Sequence, residues 1–186
     1  LAHHLVRHED KPGKLRITQD AAAKMHGHSL NRYLLSGPDL LNKLAGILLR
    51  FRRHEVVLSA DIKDFFYQIR LPPEDSPACR YLWWETKNMK KEKIMEACVH
   101  LMGARSSPAV ANMCLMHHAC QVKDLFDMKV FIAIMTSFYV DDYLDSVKSV
   151  KDGRMMKEQL TEALKMGGFP LLKWKSNFQE LNDPII

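Results

Sequence analysis

Two apolar, β-branched runs constrain this chain most. EVVLSADI ends on Asp61, and SFYVDDYLDSV carries Asp141 and Asp142 side by side, eighty residues later. A buried carboxylate is costly unless something positive meets it. If the two runs are neighbouring strands of one sheet, three carboxylates converge at one edge. An all-oxygen cluster of that kind suits Mg²⁺ or Mn²⁺ and not Zn²⁺. Two such ions about 4 Å apart can activate an attacking hydroxyl and stabilise a leaving phosphate oxygen. The bland alternative is a turn that happens to use two aspartates, a common turn residue. The apolar flanks argue against it, because a solvated turn would be more polar.

The rest of the chain supplies a setting for these strands. KLRI follows a turn at Pro12-Gly13 and reads as a short strand with Lys14 and Arg16 on one face. SGPDLLNKLAGILLRFRR reads as a helix, with Ser36 and Asp39 as a capping box and an apolar stripe from Leu40 to Phe51. ACRYLWWE and EKIMEACVHLM are strand-like runs around the charged loop TKNMKKEK. SSPAVANMCLMHHACQVKDLF reads as a second helix, with Ser107 as cap and Pro108 in its first turn. VFIAIMTSFYVDDYLDSV reads as one long β-rich run with a tight place at the aspartates. Residues 152–166 make a third helix, stopped by Gly167-Gly168, and FPLLKWKSN is a last strand. This order predicts an α+β fold with a mainly antiparallel sheet.

With 186 residues and a formal charge of +5, the chain is long enough for one domain of two lobes and leans toward polyanionic partners. Four cysteines without a CxxC pair predict a reducing compartment and no disulfide framework. No run reaches membrane-spanning length, and no signal peptide is visible, so the expected location is cytoplasmic. Cys114, His117, His118 and Cys120 do not share a helix face at zinc-ligand spacing. The chain opens on Leu1, so it is expected to be a segment of something longer.

FYVDD resembles the catalytic box of reverse transcriptases, and ADIKDFFYQI resembles their first metal-binding motif. GARSSPAVAN is similar to the motif that opens the long helix beneath template and nucleotide. GGFPLLKWKSN is similar to the later motif with its lysine. KPGKLRITQD, HSLNRYLLSGPDLLNKLAGILLRFRR and PEDSPACRYLWWE resemble the Pao/BEL group of retrotransposon polymerases in particular. The similarity runs in order from about residue 1 to 178.

The resemblance implies the fingers and palm of a right-hand polymerase, with an antiparallel palm sheet packed on helices. Fingers would take residues 1–46 and 71–102, and palm residues 47–70 and 103–186. It implies Asp61 and Asp141 as main metal ligands, the carbonyl of Ile62 in one ion's shell, and Asp142 as a more tolerant acid near the primer end. Asp145 would be an ordinary surface acid. Arg16, with Lys14, would hold the incoming triphosphate, for which a planar guanidinium fork is suited. Phe66 would sit under the sugar and exclude a 2′-hydroxyl. Gly103 and the Ser107-Pro108 helix start would let backbone approach the nucleotide. Lys173, with Lys175 as its competitor, would donate a proton to the leaving pyrophosphate.

Met102 stands where some reverse transcriptases carry glutamine; retrotransposon relatives use apolar residues there. Ala2 and Ala22 depart from the expected proline and serine. Only nine residues follow Asn177, so thumb and RNase H are expected to lie outside this chain.

The implied function is RNA-directed DNA polymerisation with two Mg²⁺ ions, Mn²⁺ being an acceptable substitute. The implied partners are template–primer, deoxynucleoside triphosphates and the rest of a retrotransposon polyprotein, including protease and integrase. Virus-like particles are a second implied location. Two alternatives compete: a decayed or repurposed fold that binds nucleic acid without catalysis, and a metal-dependent phosphohydrolase using the same acids.

Overall fold

The computed structural model describes residues 1–7, 13, 15–84 and 91–184. Lys14 and most of the charged loop TKNMKKEK lie outside the described residues. The chain divides into two compact units.

The first unit comprises Leu1–Pro38 and Phe66–Pro108. It holds two antiparallel hairpins and a short helix. β1 (Ala2–Arg7) pairs with β2 (Leu15–Asp20), with Val6 opposite Arg16. β4 (Arg80–Trp84) pairs with β5 (Glu92–Glu96). α1 (Leu30–Tyr33) lies between the hairpins in sequence. The core is small: Ala21, Cys79, Ala97, Leu101 and Ala104, with Leu30, Tyr67, Leu71 and Tyr81 packed against it. β1 was not legible as a strand, and it gives His3 a place: its ring stacks on Trp83 at 5.8 Å and meets the edge of Tyr81 at 5.5 Å. Trp83 and Trp84 remain 40% and 44% exposed, so neither is a core residue.

The second unit comprises Asp39–Phe65 and Ala109–Ile186. Its centre is a four-stranded antiparallel sheet in the order β6-β7-β3-β8. β3 (Val56–Ile62) alternates, burying Val56, Leu58, Ala60 and Ile62 and turning Asp61 to the other face. The flanking strands are β6 (Phe138–Tyr139), β7 (Asp142–Val147) and β8 (Leu171–Ser176). α5 (Val150–Met166) packs on this sheet through Met156, Leu160, Ala163 and Leu164, a stripe at helical spacing. Each fully buried leucine there stabilises the fold by about 1.5–3 kcal/mol. Ser149 caps the start of α5, its hydroxyl accepting from the Asp152 amide at 3.2 Å. Its end falls at Gly167, where any Cβ would stand 2.6 Å from the ring of buried His118. His118 Nε2 donates to the Ala163 carbonyl at 2.7 Å, which fixes that ring as a structural group.

Three expectations need correction. α2 spans only Leu44–Phe51, so the helix does not begin at Ser36. The Asp39 carboxylate accepts from the Leu41 amide two residues on, a turn contact that competes with helix initiation. Residues read as the start of a long strand form α4 (Met128–Thr136). Asp127 caps it by accepting from the Lys129 amide, and burial of Val130, Ala133 and Ile134 on one stripe overrides the β-branched composition. At the start of α3 (Ser107–Val122), the Ser107 hydroxyl turns back to donate to the Leu101 carbonyl at 2.8 Å.

Among the described residues, no helix is long and apolar enough to cross a membrane.

Candidate active site

β3 and β7 run antiparallel in a register that places Asp61 directly opposite Asp142. β6 and β7 form a hairpin in which Tyr139 pairs with Asp142. The loop is therefore only Val140-Asp141. Val140 has φ of 57°. A two-residue hairpin with positive φ at the first loop position matches a type II′ turn, where glycine is the usual occupant. A β-branched residue in that conformation carries strain of about 1–3 kcal/mol. The corner is held from the side as well: the Ile62 amide donates to the Asp141 carbonyl at 2.9 Å. Asp61, Ile62, Asp141 and Asp142 thus meet at one end of the central strand pair. Asp141 is half-buried and Asp142 exposed, which separates the two acids by environment.

Lys173 arrives from the opposite neighbour, β8. Ser59 pairs with Lys175, but Asp61 pairs with Leu172, so β8 carries one extra residue across this step. The extra residue makes a bulge, and Lys173 takes φ of 59° within it. Plain alternation would have put Lys173 and Lys175 on one face. The bulge falls in the step that holds Lys173, and the Lys173 ammonium meets the Asp61 carboxylate. It also allows Leu171 and Trp174, three apart, to be buried together.

The electrostatics follow from the crowding of acids. Burial raises the Asp141 carboxyl above its ordinary pKa, and the Asp61 charge adds to it; Lys173 opposes the shift. Asp142, though exposed, is raised as well, by partial desolvation of its carboxyl and then by the charges of Asp141 and Asp61, again opposed by Lys173. One ammonium leaves this acidic edge short of positive charge. The donor set is all oxygen and mounted on paired strands, so it fits a hard divalent cation. As the side chains stand, with Lys173 on Asp61, no group of three His, Cys, Asp or Glu among the described residues is arranged to hold a metal.

Asp145 is not an ordinary surface acid. It accepts from the Ser137 hydroxyl and from the Ser146 amide, both at 2.8 Å, and so ties β7 to the end of α4. Tyr143 lies under the hairpin, fully buried between Phe138 and Trp174 at 5.3 and 5.5 Å. Its hydroxyl has no hydrogen-bond partner. Tyr143→Phe should therefore leave stability unchanged or raise it by up to about 1 kcal/mol, read as the urea midpoint. A loss above that range would reveal an unseen partner for the hydroxyl.

The remaining predicted residues are placed as follows. Phe65 fills a core position against Phe169, 5.8 Å between centroids, and leaves Phe66 half-buried on the turn that follows β3. In the first unit, Arg16 is exposed on β2. Gly103 has φ of 93°, and Asn31 clamps its loop by donating to the Gly103 carbonyl at 3.0 Å and accepting from the Arg105 amide at 2.8 Å. Met102 is exposed beside it.

The family described as reverse transcriptase (RNA-dependent DNA polymerase) has a sequence model that matches residues 11–182. No curated protein matches the chain. Among solved structures, foamy viral protease-reverse transcriptase in complex with double-stranded DNA aligns with a TM-score of 0.62 and 19% identity, over 90% of this chain and 25% of that one. The same protein in complex with an RNA/DNA hybrid gives a TM-score of 0.64 at 16% identity, over 91% and 19%. The native prototype foamy virus protein gives 0.64 at 18%, over 93% and 20%. At these identities the likeness establishes the fold, that of polymerase fingers and palm. The chain spans a fifth to a quarter of the proteins it aligns with.

Proposed function

The chain belongs to the reverse transcriptase (RNA-dependent DNA polymerase) family, and from that premise we propose that it extends a primer by RNA-directed DNA synthesis. The observation that carries the reading is the register of β3 against β7, which sets Asp61 opposite Asp142 with Asp141 at the adjoining corner. Two Mg²⁺ ions, when bound, would activate the primer 3′-hydroxyl and neutralise charge on the phosphates. Asp61, Asp141, Asp142 and the main chain of Ile62 would hold them. Displacing Lys173 from Asp61 would free its ammonium to protonate the leaving pyrophosphate.

We assign the first unit to the fingers and the second to the palm. Arg16 and Lys14 would bind the triphosphate, Gly103 would admit the nucleotide, and Phe66 would exclude a 2′-hydroxyl. The partners are a primed RNA or DNA template, deoxynucleoside triphosphates, and the remainder of a polyprotein. The Pao/BEL stretches quoted above support a retrotransposon origin.

The test is primer extension on poly(rA) with Mg²⁺ or Mn²⁺, using this chain within the longer polyprotein proposed above. Folded protein that adds no nucleotide would overturn the reading. Phe66→Ala should raise ribonucleotide incorporation relative to deoxynucleotide by roughly 10-fold or more. An unchanged ratio assigns the exclusion to another side chain.

A further inference from the structure

β6 is an edge strand two residues long, yet it must hold one arm of a strained turn. On its inner side it has the ladder to β7. On the described residues, no strand covers its outer side. Instead the Asn42 carboxamide reaches it. Asn42 Nδ2 donates to the Phe138 carbonyl at 3.1 Å and to the Met135 carbonyl, in the last turn of α4, also at 3.1 Å. A primary amide has two N–H donors, and both are used. The Arg50 guanidinium donates to the Thr136 carbonyl between them. Ser137 is held through its hydroxyl by Asp145 and through its carbonyl by the Leu144 amide at 2.9 Å. Every residue from 135 to 138 is thereby anchored, and Asp141 stands three residues beyond.

We propose that Asn42 is a positioning residue for Asp141, its carboxamide replacing the absent neighbour strand on β6. The proposal rests on the polymerase reading for its catalytic consequence. A left-handed valine persists only where its surroundings over-determine the backbone. The β7 ladder supplies one constraint, the Ile62 amide on the Asp141 carbonyl a second, and Asn42 the one on the outer side of β6. Without Asn42, β6 can relax outward and carry Asp141 away from Asp61. Asn42 lies before α2 begins, outside the helix into which its sequence would place it, and that leaves its side chain free to reach α4 and β6.

The test compares Asn42→Asp and Asn42→Ala with Val130→Ala, a core change in α4 that leaves the Phe138 bond in place. Asn42→Asp keeps the shape, removes both donors and sets a carboxylate against two carbonyls. In the full-length chain, kcat should fall about 100-fold, with KM for the nucleotide within about twofold. Amide exchange across Phe138–Leu144 should quicken about tenfold, while exchange in β3 holds. Val130→Ala should lower stability yet retain kcat and hairpin protection. Unchanged exchange at the hairpin in both Asn42 variants overturns the proposal. So does a kcat loss matched by Val130→Ala. If the unmodified chain adds no nucleotide, the polymerase reading fails, and the exchange measurement alone decides the role of Asn42.

Discussion

Asp141→Asn is expected to reduce nucleotide addition by at least about 10³-fold while leaving the metal-free domain as stable as before or more so. The two halves of this result come from one cause. Asp141 sits half-buried among like charges, and its carboxyl holds a proton more tightly folded than unfolded. Ionisation therefore favours the unfolded chain. The contribution of Asp141 to stability is best at acid pH. It falls as pH rises from the ordinary carboxylate range through the raised folded value, and stays low above it. Asparagine removes that ionisation, so its advantage should be present at pH 7 and vanish toward pH 3. After allowance for solvent screening the gain is at most about 1 kcal/mol. Urea denaturation at the two pH values, without divalent ions, measures it. A variant that is unfolded at pH 7 would assign the acids a structural role.

Lys173→Met is expected to lower kcat by about 10²-fold, whereas Lys175→Met should stay within about threefold. The bulge is the reason for separating the two. Lys173 is delivered to the Asp61 carboxylate, and Lys175 lies on the far side of the extra residue, opposite Ser59. If Lys175→Met produces the larger loss, the bulge does not select the working lysine.

Much of the candidate site was legible because acids in apolar strands are chemically expensive. Asp61, Asp141 and Asp142 announce themselves by that conflict, and the pairing of β3 with β7 gives it a place. Alternation in β3 and the stripe of α5 were legible for the same reason, since each segment's period matches its burial. What was not legible depends on contacts distant in sequence. The α4 helix contradicts its own β-branched composition because three of its residues face a core. Asn42 and Asp145 look like routine polar residues until their partners, 93 and 8 residues away, are in view. The bulge in β8 leaves no local mark, because KWK obeys a strand's alternation and the extra residue is set by pairing with β3.

That bulge makes chain length, more than side-chain identity, the fragile quantity along β8. Substitutions that keep Leu171 and Trp174 apolar leave the strand's seating intact. Deleting the one extra residue between them restores unbroken alternation and keeps everything downstream in phase with β3, but it removes the bulge that carries Lys173. Trp174, buried at 3% exposure beside Tyr143, would keep its seat, and the loss would fall on the contact between the lysine and Asp61. A one-residue deletion here should thus spare the fold and cost the site, whereas most substitutions at its exposed positions spare both.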